Sequence, residues 1–196
     1  MRFDLSEITG LIKDRRTIYP EQFTERVVQK EMVENILSTG LWAPTHGKTQ
    51  PWRFQVFYEE GRENLQNKIE QIHRDINSED VFPRRKLEKL VKRFETTSVI
   101  VALIMKRTPE TRIPEIEEVE AVACAAQNIM LTSTAYGLGA FWSSPGFIYT
   151  QQANEAFGLE EDDKLLGLIY LGYPAVDWPK SHRKPLEYVT EWVNEK

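Results

Sequence analysis

Three short segments of the chain carry residues suited to anions or tight turns, and two of them also hold flat aromatic side chains. Arg15, Arg16 and Thr17 form the first, APTHGKTQPWRF at 43–54 the second, and GLGAFWSSPG at 137–146 the third. A guanidinium group matches phosphate oxygens with two parallel hydrogen bonds and stays charged at physiological pH. Glycines let a backbone approach a ligand closely. Together the segments predict a site for a ligand that carries both a phosphate and a flat ring.

Each segment also has an interpretation that needs no ligand. Two arginines at the end of a helix can simply complement the helix dipole. His46 and Gln50 could hydrogen-bond a heterocycle or a phosphate, but their segment can also be an ordinary connection in which Trp52 anchors the core. The glycines of GLG close a helix, whereas the dinucleotide-binding fingerprint opens one.

The spacing of apolar residues predicts six helices and four strands. The helices are expected at 4–14, 30–42, about 61–76, 84–95, 117–136 and about 150–157, and the strands at 53–58, 98–105, 140–143 and 165–171. The run at 98–105 is continuously apolar and rich in β-branched residues, which is typical of a buried central strand. Gly137 is a good residue to end the longest helix. Long helices between a few buried strands favour a layered α+β or α/β fold.

Composition limits the class of protein. The 196 residues include 25 basic and 30 acidic side chains, and the net charge of −5 argues against a general nucleic-acid surface. No segment has the pattern of a signal peptide or the roughly 20 apolar residues of a membrane span, so a cytoplasmic protein is expected. His73 and His182 have no metal-ligand spacing, so no metal site is expected. Cys124 lies in an Ala-rich helical run, where a buried thiol is expected.

A basic stretch at 84–93 (RRKLEKLVKR) holds six basic residues and one acid. It can be the solvated face of a helix. Alternatively, it could attract a phosphate-rich nicotinamide cofactor, with Lys92 or Arg93 in contact with a phosphate.

The order of the motifs along the chain resembles that of the FMN-dependent nitroreductase family. The sequence has the Arg-Arg-Thr triplet, a loop that ends in QPWRF at 50–54, an aromatic strand after GLG, GYP at 172–174 and the basic tail segment HRKP at 182–185. The resemblance extends from residue 15 to about residue 190. The loop that carries His46 is similar to that of the small-nitroreductase branch. Two positions depart from the family pattern: Lys48 stands where many members have Asn, and Ser181 where some have Lys.

The resemblance implies an α+β fold: a nitroreductase-like layered α/β/α sandwich with a central mixed, mostly antiparallel sheet, in a homodimer. Residues 1–196 would form one domain, with a C-terminal arm (about 178–196) that could cross to the partner subunit. Two FMN molecules would lie in the subunit interface. The implied cofactor-binding residues are Arg15, Arg16, Thr17, His46, Gln50, Trp142, Ser143, Ser144 and Arg183, with the His46 loop supplied by the other subunit.

The implied activity is that of an FMN-dependent NAD(P)H oxidoreductase. NAD(P)H would reduce the flavin, and a nitroaromatic, a quinone or a similar flat acceptor would then reoxidise it at the same site by a ping-pong mechanism. No side chain is required as a catalytic proton donor. One alternative is a flavin-binding or flavin-consuming relative that does not turn over nitro compounds. Another is an interaction module whose basic helix docks on acidic or nucleic-acid partners.

Overall fold

Four strands form one central sheet in this structure, a computed structural model that describes residues 3–76, 80–108 and 112–193. They are β1 (Trp52–Tyr58), β2 (Val99–Met105), β3 (Gly139–Ser143) and β4 (Lys164–Gly172). Across the sheet the order is β1-β2-β4-β3, and each neighbouring pair is antiparallel. One isolated parallel bridge joins Thr17 to Ala140 at the outer edge of β3. The expected mixed, mostly antiparallel sheet is therefore confirmed.

The described residues also form six α-helices. They are α1 (Leu5–Asp14), α2 (Lys30–Gly40), α3 (Gly61–Ile76), α4 (Arg84–Thr96), α5 (Glu115–Ala135) and α6 (Gln151–Phe157). Short 3-10 turns occur at Pro20–Gln22, His46–Lys48, Gly146–Tyr149 and Leu186–Tyr188. No helix in the described ranges is long and apolar enough to cross a membrane.

The two faces of the sheet carry separate apolar cores. Alternate residues of β2 point to opposite faces: Ile100, Ala102 and Ile104 pack in the cluster that includes residues of α3, α4 and α6. Val99 and its alternate neighbours on β2 pack in the cluster that includes α2 and α5. All seven residues of β2 are buried, because helices cover the strand on both sides. This arrangement confirms the layered α+β fold.

The boundaries of α5 differ slightly from the expected ones. The helix begins at Glu115 instead of residue 117, because Pro114 occupies the N-cap position and the acidic side chains of the first turn complement the positive end of the helix dipole. At the other end, Gly137 has a φ of 73° and its N–H donates to the carbonyl of Thr134. This glycine ends the helix as predicted.

The expectation of a buried cysteine is wrong. Cys124 is exposed, while its neighbours Ala125 and Ala126 are fully buried. In an Ala-rich helix both faces carry small residues, so the side-chain pattern does not reveal which face meets the core. Cys124 lies on the face of α5 that points away from the sheet.

Candidate functional site

The Arg15–Thr17 segment runs along the edge of β3. Thr17 bridges to Ala140, and the N–H of Ile18 donates to the carbonyl of Ala140 over 3.2 Å. The arginines at the end of α1 are thereby placed beside the first residues of β3. The edge strand aligns two of the three segments that the sequence singled out.

Arg15 and Arg16 have different surroundings. Arg16 is half-buried, and its Nη1 donates to the backbone carbonyls of Lys13 and Arg15 at the end of α1. Its Nε is buried and has no hydrogen-bond partner. Within the described ranges, the guanidinium of Arg15 makes no hydrogen bond or ion pair. Arg16 thus caps the helix with one nitrogen, as the interpretation without a ligand proposes, and leaves another unsatisfied.

Arg183 from the C-terminal arm completes a cluster of positive charge. Burial lowers the pKa of Arg15, and repulsion from the nearby Arg183 and Arg16 guanidiniums lowers it further. Arg183 donates to the hydroxyl of Ser181 and the carbonyl of His182. No carboxylate in the described residues lies within ion-pair distance of these three side chains. The cluster is suited to an anion.

An open cavity of about 650 Å³ lies beside this cluster. Its lining includes Arg16 and Asp14 from the end of α1, Thr134 near the end of α5, and Trp178 and Lys180 from the arm. The indole N–H of Trp178 donates to the carbonyl of Asp14, which fixes the start of the arm against α1. A larger hollow of about 920 Å³ runs along α1 itself, between Phe3 and Lys13. None of the nine residues that the sequence singled out lines that larger hollow.

The far end of β3 carries the aromatic and hydroxyl groups. The indole N–H of Trp142 and the hydroxyl of Ser144 both donate to the carbonyl of Leu166, over 3.3 and 3.0 Å. A β-bulge in β4 makes this carbonyl accessible, because Leu166 has no partner in the register with β2. Gly167 has a φ of 144°, and a Cβ there would lie 2.5 Å from Trp142 Nε1. Trp142 is thus held rigidly, with its donor already used inside the protein.

The 45–50 loop has an unusual backbone. Gly47, Lys48 and Gln50 have φ values of 57°, 57° and 48°. Non-glycine residues in this region cost of order 1–3 kcal/mol each and cluster at functional sites. The Thr45 hydroxyl accepts from the N–H of Gln50 over 3.2 Å, and it lies 3.1 Å from the Thr49 hydroxyl. Trp52 is buried, as expected.

His46 is anchored by an acid from α5. Its Nδ1 lies 2.5 Å from Oε2 of Glu117, and its side chain is 62% exposed. The described residues offer no hydrogen-bond partner to Nε2. The imidazole therefore projects from the loop with one nitrogen fixed and the other open.

The singled-out residues form two groups in one chain. His46 contacts Glu117 at the start of α5. Arg16 instead lines the same cavity as Thr134, near the end of α5. At a rise of 1.5 Å per residue, these levels of α5 are about 25 Å apart. A single chain thus brings Arg15, Arg16, Thr17 and Arg183 together beside β3 but leaves His46 and Gln50 far away.

Three features of the site were missed at the level of sequence. They are Glu117, the carbonyl of Leu166, which is accessible through the bulge in β4, and Trp178, which the sequence places only in the C-terminal arm. No local sequence pattern predicts any of them, because each depends on a contact between distant parts of the chain. Among the described residues, no group of three or more His, Cys, Asp and Glu side chains could hold a metal ion.

Comparison with known proteins gives a consistent result. A family model described as the Nitroreductase family matches residues 12–173. The Escherichia coli (strain K12) protein named "Putative NAD(P)H nitroreductase YdjA" is 31% identical over 144 residues, which is 74% of this chain and 76% of that protein. The crystal structure of the nitroreductase-like family protein from Bacillus cereus has a TM-score of 0.85 and 26% identity, covering 98% of this chain and 99% of that chain.

A second solved structure has a ligand in its description. It is a "putative nitroreductase in complex with fmn" from Desulfovibrio desulfuricans, with a TM-score of 0.69 and 25% identity over 94% of this chain and 96% of that chain. The family model covers most of the sequence, and the fold is shared nearly end to end with the Bacillus cereus protein. The chain belongs to the nitroreductase family.

Proposed function

We propose that this protein is an FMN-dependent NAD(P)H oxidoreductase that reduces nitroaromatics, quinones or similar flat acceptors. The observation that carries the proposal is the cluster of Arg15, Arg16 and Arg183, which has no carboxylate partner within the described residues and of which Arg16 lines an open cavity. Family membership and the FMN described for the Desulfovibrio desulfuricans relative support the choice of cofactor.

The residues present fit the phosphate end of FMN. Arg16 Nε is a buried donor without a partner, and an anion would satisfy it. An anion would also offset the repulsion among the three guanidiniums that lowers the pKa of Arg15. Each charge-assisted hydrogen bond is worth about 1.5–3 kcal/mol. Arg15 and Arg183 would hold the phosphate, and Thr17 would offer its exposed hydroxyl beside them.

The edge of β3 suits the remainder of the cofactor. From Ala140 beside Thr17, the strand extends three residues to Ser143, a distance of about 10 Å. Trp142, Ser143 and Ser144 would line the flat ring there. Since the Trp142 and Ser144 donors are engaged with Leu166, these side chains would act as a rigid wall and not as hydrogen-bond donors to the ring.

The separation of the two groups of residues supports a site shared between two chains. His46 and Gln50 of the partner subunit would reach the flavin if the start of one α5 lay near the end of the other. The apolar side chains of α1 are unburied: Leu5, Ile8 and Ile12 are 64%, 44% and 54% exposed. The arm also exposes apolar side chains, including Trp192 and Val193. Residues 1–196 would thus form one domain per subunit of a homodimer, with the arm crossing to the partner.

In this reaction the protein would position the cofactor and the substrates, and the cofactor would supply the chemistry. Bound FMN would provide hydride exchange, which side chains cannot perform. The arginine cluster would bind the phosphate, and the Trp142 wall would orient the ring. NAD(P)H and the acceptor would occupy the same open face in turn, which would give ping-pong kinetics without a catalytic proton donor.

The first test is FMN binding by wild type and Arg15→Ala. We expect Arg15→Ala to weaken FMN binding by roughly ten- to a hundredfold, because one charge-assisted contact is lost. Lys30→Ala, which removes an exposed positive charge paired with Glu34, should bind FMN like wild type. Unchanged affinity in Arg15→Ala would exclude the assigned phosphate site.

Steady NAD(P)H oxidation with a nitroaromatic or quinone tests turnover, and its absence in an FMN-loaded protein would favour the flavin-binding alternative.

A further inference from the structure

The His46 loop is held in one position by several contacts. A Cβ on Gly47 would lie only 2.7 Å from Cδ1 of Ile113, so the loop packs tightly on the segment before α5. Arg107 connects that segment to α5: its Nη2 donates to the carbonyl of Ile113 over 2.9 Å, and its Nη1 donates to Glu118. Residues 109–111 of the connection between β2 and α5 lie outside the described residues. The remainder shows that the segment supports the loop.

Glu117 is the side chain that fixes the imidazole itself. Its Oε2 lies 2.5 Å from Nδ1 of His46, and its side chain is 38% exposed. A carboxylate accepts, so Nδ1 must carry the hydrogen. In the neutral ring, this leaves the Nε2 lone pair directed outward, available to an N–H or O–H of a ligand. A histidine without such a partner is free to change both its tautomer and its ring orientation.

We propose that Glu117 is a positioning residue of the cofactor site: it holds the His46 ring through Nδ1 so that Nε2 faces the FMN bound to the partner subunit. This inference rests on the function proposed above. The same logic operates in metal sites, where a carboxylate on the second nitrogen of a histidine sets its tautomer and direction. Glu117 and His46 are 71 positions apart in sequence, and α5 is the rigid element that keeps the carboxylate in place.

The test combines substitutions at both residues in a double-mutant cycle for FMN affinity. We expect Glu117→Ala to weaken FMN binding about three- to tenfold, the range of one hydrogen bond. In a His46→Ala background, Glu117→Ala should change the affinity less than twofold, because the residue acts only through the ring. Glu117→Gln keeps an acceptor oxygen and should restore most of the affinity. Glu115→Ala, which removes the neighbouring Lys164–Glu115 pair at 3.2 Å, is the matched control and should bind FMN normally.

A second measurement examines the ring without any cofactor. The chain has three histidines, so long-range ¹⁵N–¹H spectra of the apo protein can be assigned with His46→Gln. At a pH where the ring is neutral, we expect the Nδ1–H tautomer at His46 in wild type and a shift toward Nε2–H in Glu117→Ala. The Nε2–H tautomer in wild type would overturn the proposal, as would an equal effect of Glu117→Ala with and without His46. If wild type binds no FMN but shows the Nδ1–H tautomer, the proposed function fails while the hold of Glu117 on the ring stands.

Discussion

Arg15 and Arg16 are adjacent in sequence but their guanidiniums have different partners. Arg16 donates to two backbone carbonyls at the end of α1, whereas Arg15 has neither a hydrogen bond nor an ion pair in the described ranges and is repelled by Arg183 and Arg16. A charged group held near like charges without a partner is a cost to stability that a bound anion can offset. The sequence predicted both arginines as ligands; in the structure Arg16 also caps α1 through Nη1, while its Nε remains without a partner in the described ranges.

This difference predicts opposite effects on the stability of the apo protein. Arg16→Ala should lower the free energy of unfolding by about 1–2 kcal/mol, because two hydrogen bonds to backbone carbonyls are lost. Arg15→Ala should leave apo stability equal to or above that of wild type, because only repulsion is removed. Urea unfolding of the flavin-free proteins measures both. If Arg15→Ala proves the less stable of the two, Arg15 is a structural residue and not an anion ligand.

At the scale of elements, the pair Arg107–Glu118 anchors the start of α5. Glu118 is 1% exposed. Burial opposes its ionisation, but hydrogen bonds from Thr108 and Arg107 outweigh burial and hold the pKa of this carboxyl below its ordinary value. The N–H of Arg107 also donates to Asp163 over 2.8 Å. These contacts fix the support on which the His46 loop rests.

The lowered pKa of Glu118 gives the pair a defined pH dependence. Because the folded pKa lies below the unfolded value of about 4.3, the stabilisation is fully present above that pH and is lost as the pH falls through the folded pKa. The free energy of unfolding of wild type, measured relative to that of Glu118→Gln, should therefore fall as the pH is lowered from 5 to 3. Glu34→Gln, at an exposed ion pair, is the control and should show little change. A pH-independent difference at Glu118 would contradict the assignment.

Local pattern predicted the elements but not their long-range contacts. Helical and strand periodicity indicated all ten elements in order, because most have a clear apolar face and β2 has an entirely apolar sequence. The bulge at Leu166 and the Glu117–His46 contact depend on how distant segments meet, so no window of sequence contains them. The prediction at Cys124 was wrong for a related reason: alanines on both faces of α5 leave the buried face undetermined.

At the scale of the whole molecule, a shared site constrains how two chains associate. In a two-fold dimer, the same surface of each chain meets its counterpart. If the Glu117 level of one α5 lies near the Thr134 level of the other, the two helices are antiparallel and the axis passes at the level of residues 125–126. The exposed Cys124 is adjacent to that level.

The two copies of Cys124 should therefore lie close together. Packed helices have axes about 8–10 Å apart, whereas a disulfide requires Cα atoms within about 7 Å. A short bis-maleimide is thus the better probe, and we expect it to link wild-type chains into a covalent dimer on a denaturing gel. Cys124 is the single cysteine, so Cys124→Ser should give no linked product. A protein that is dimeric in solution and whose thiol reacts, yet yields no linked dimer, would exclude this arrangement of α5.

The most direct test of the account is size-exclusion chromatography of the purified protein with FMN, monitored at protein and flavin wavelengths with light scattering. We predict a dimer that carries one flavin per chain, and loss of flavin together with loss of the dimer in variants that dissociate. Protein that remains colourless in the presence of excess FMN would contradict the central claim. Flavin that co-elutes with a monomer would contradict the shared site.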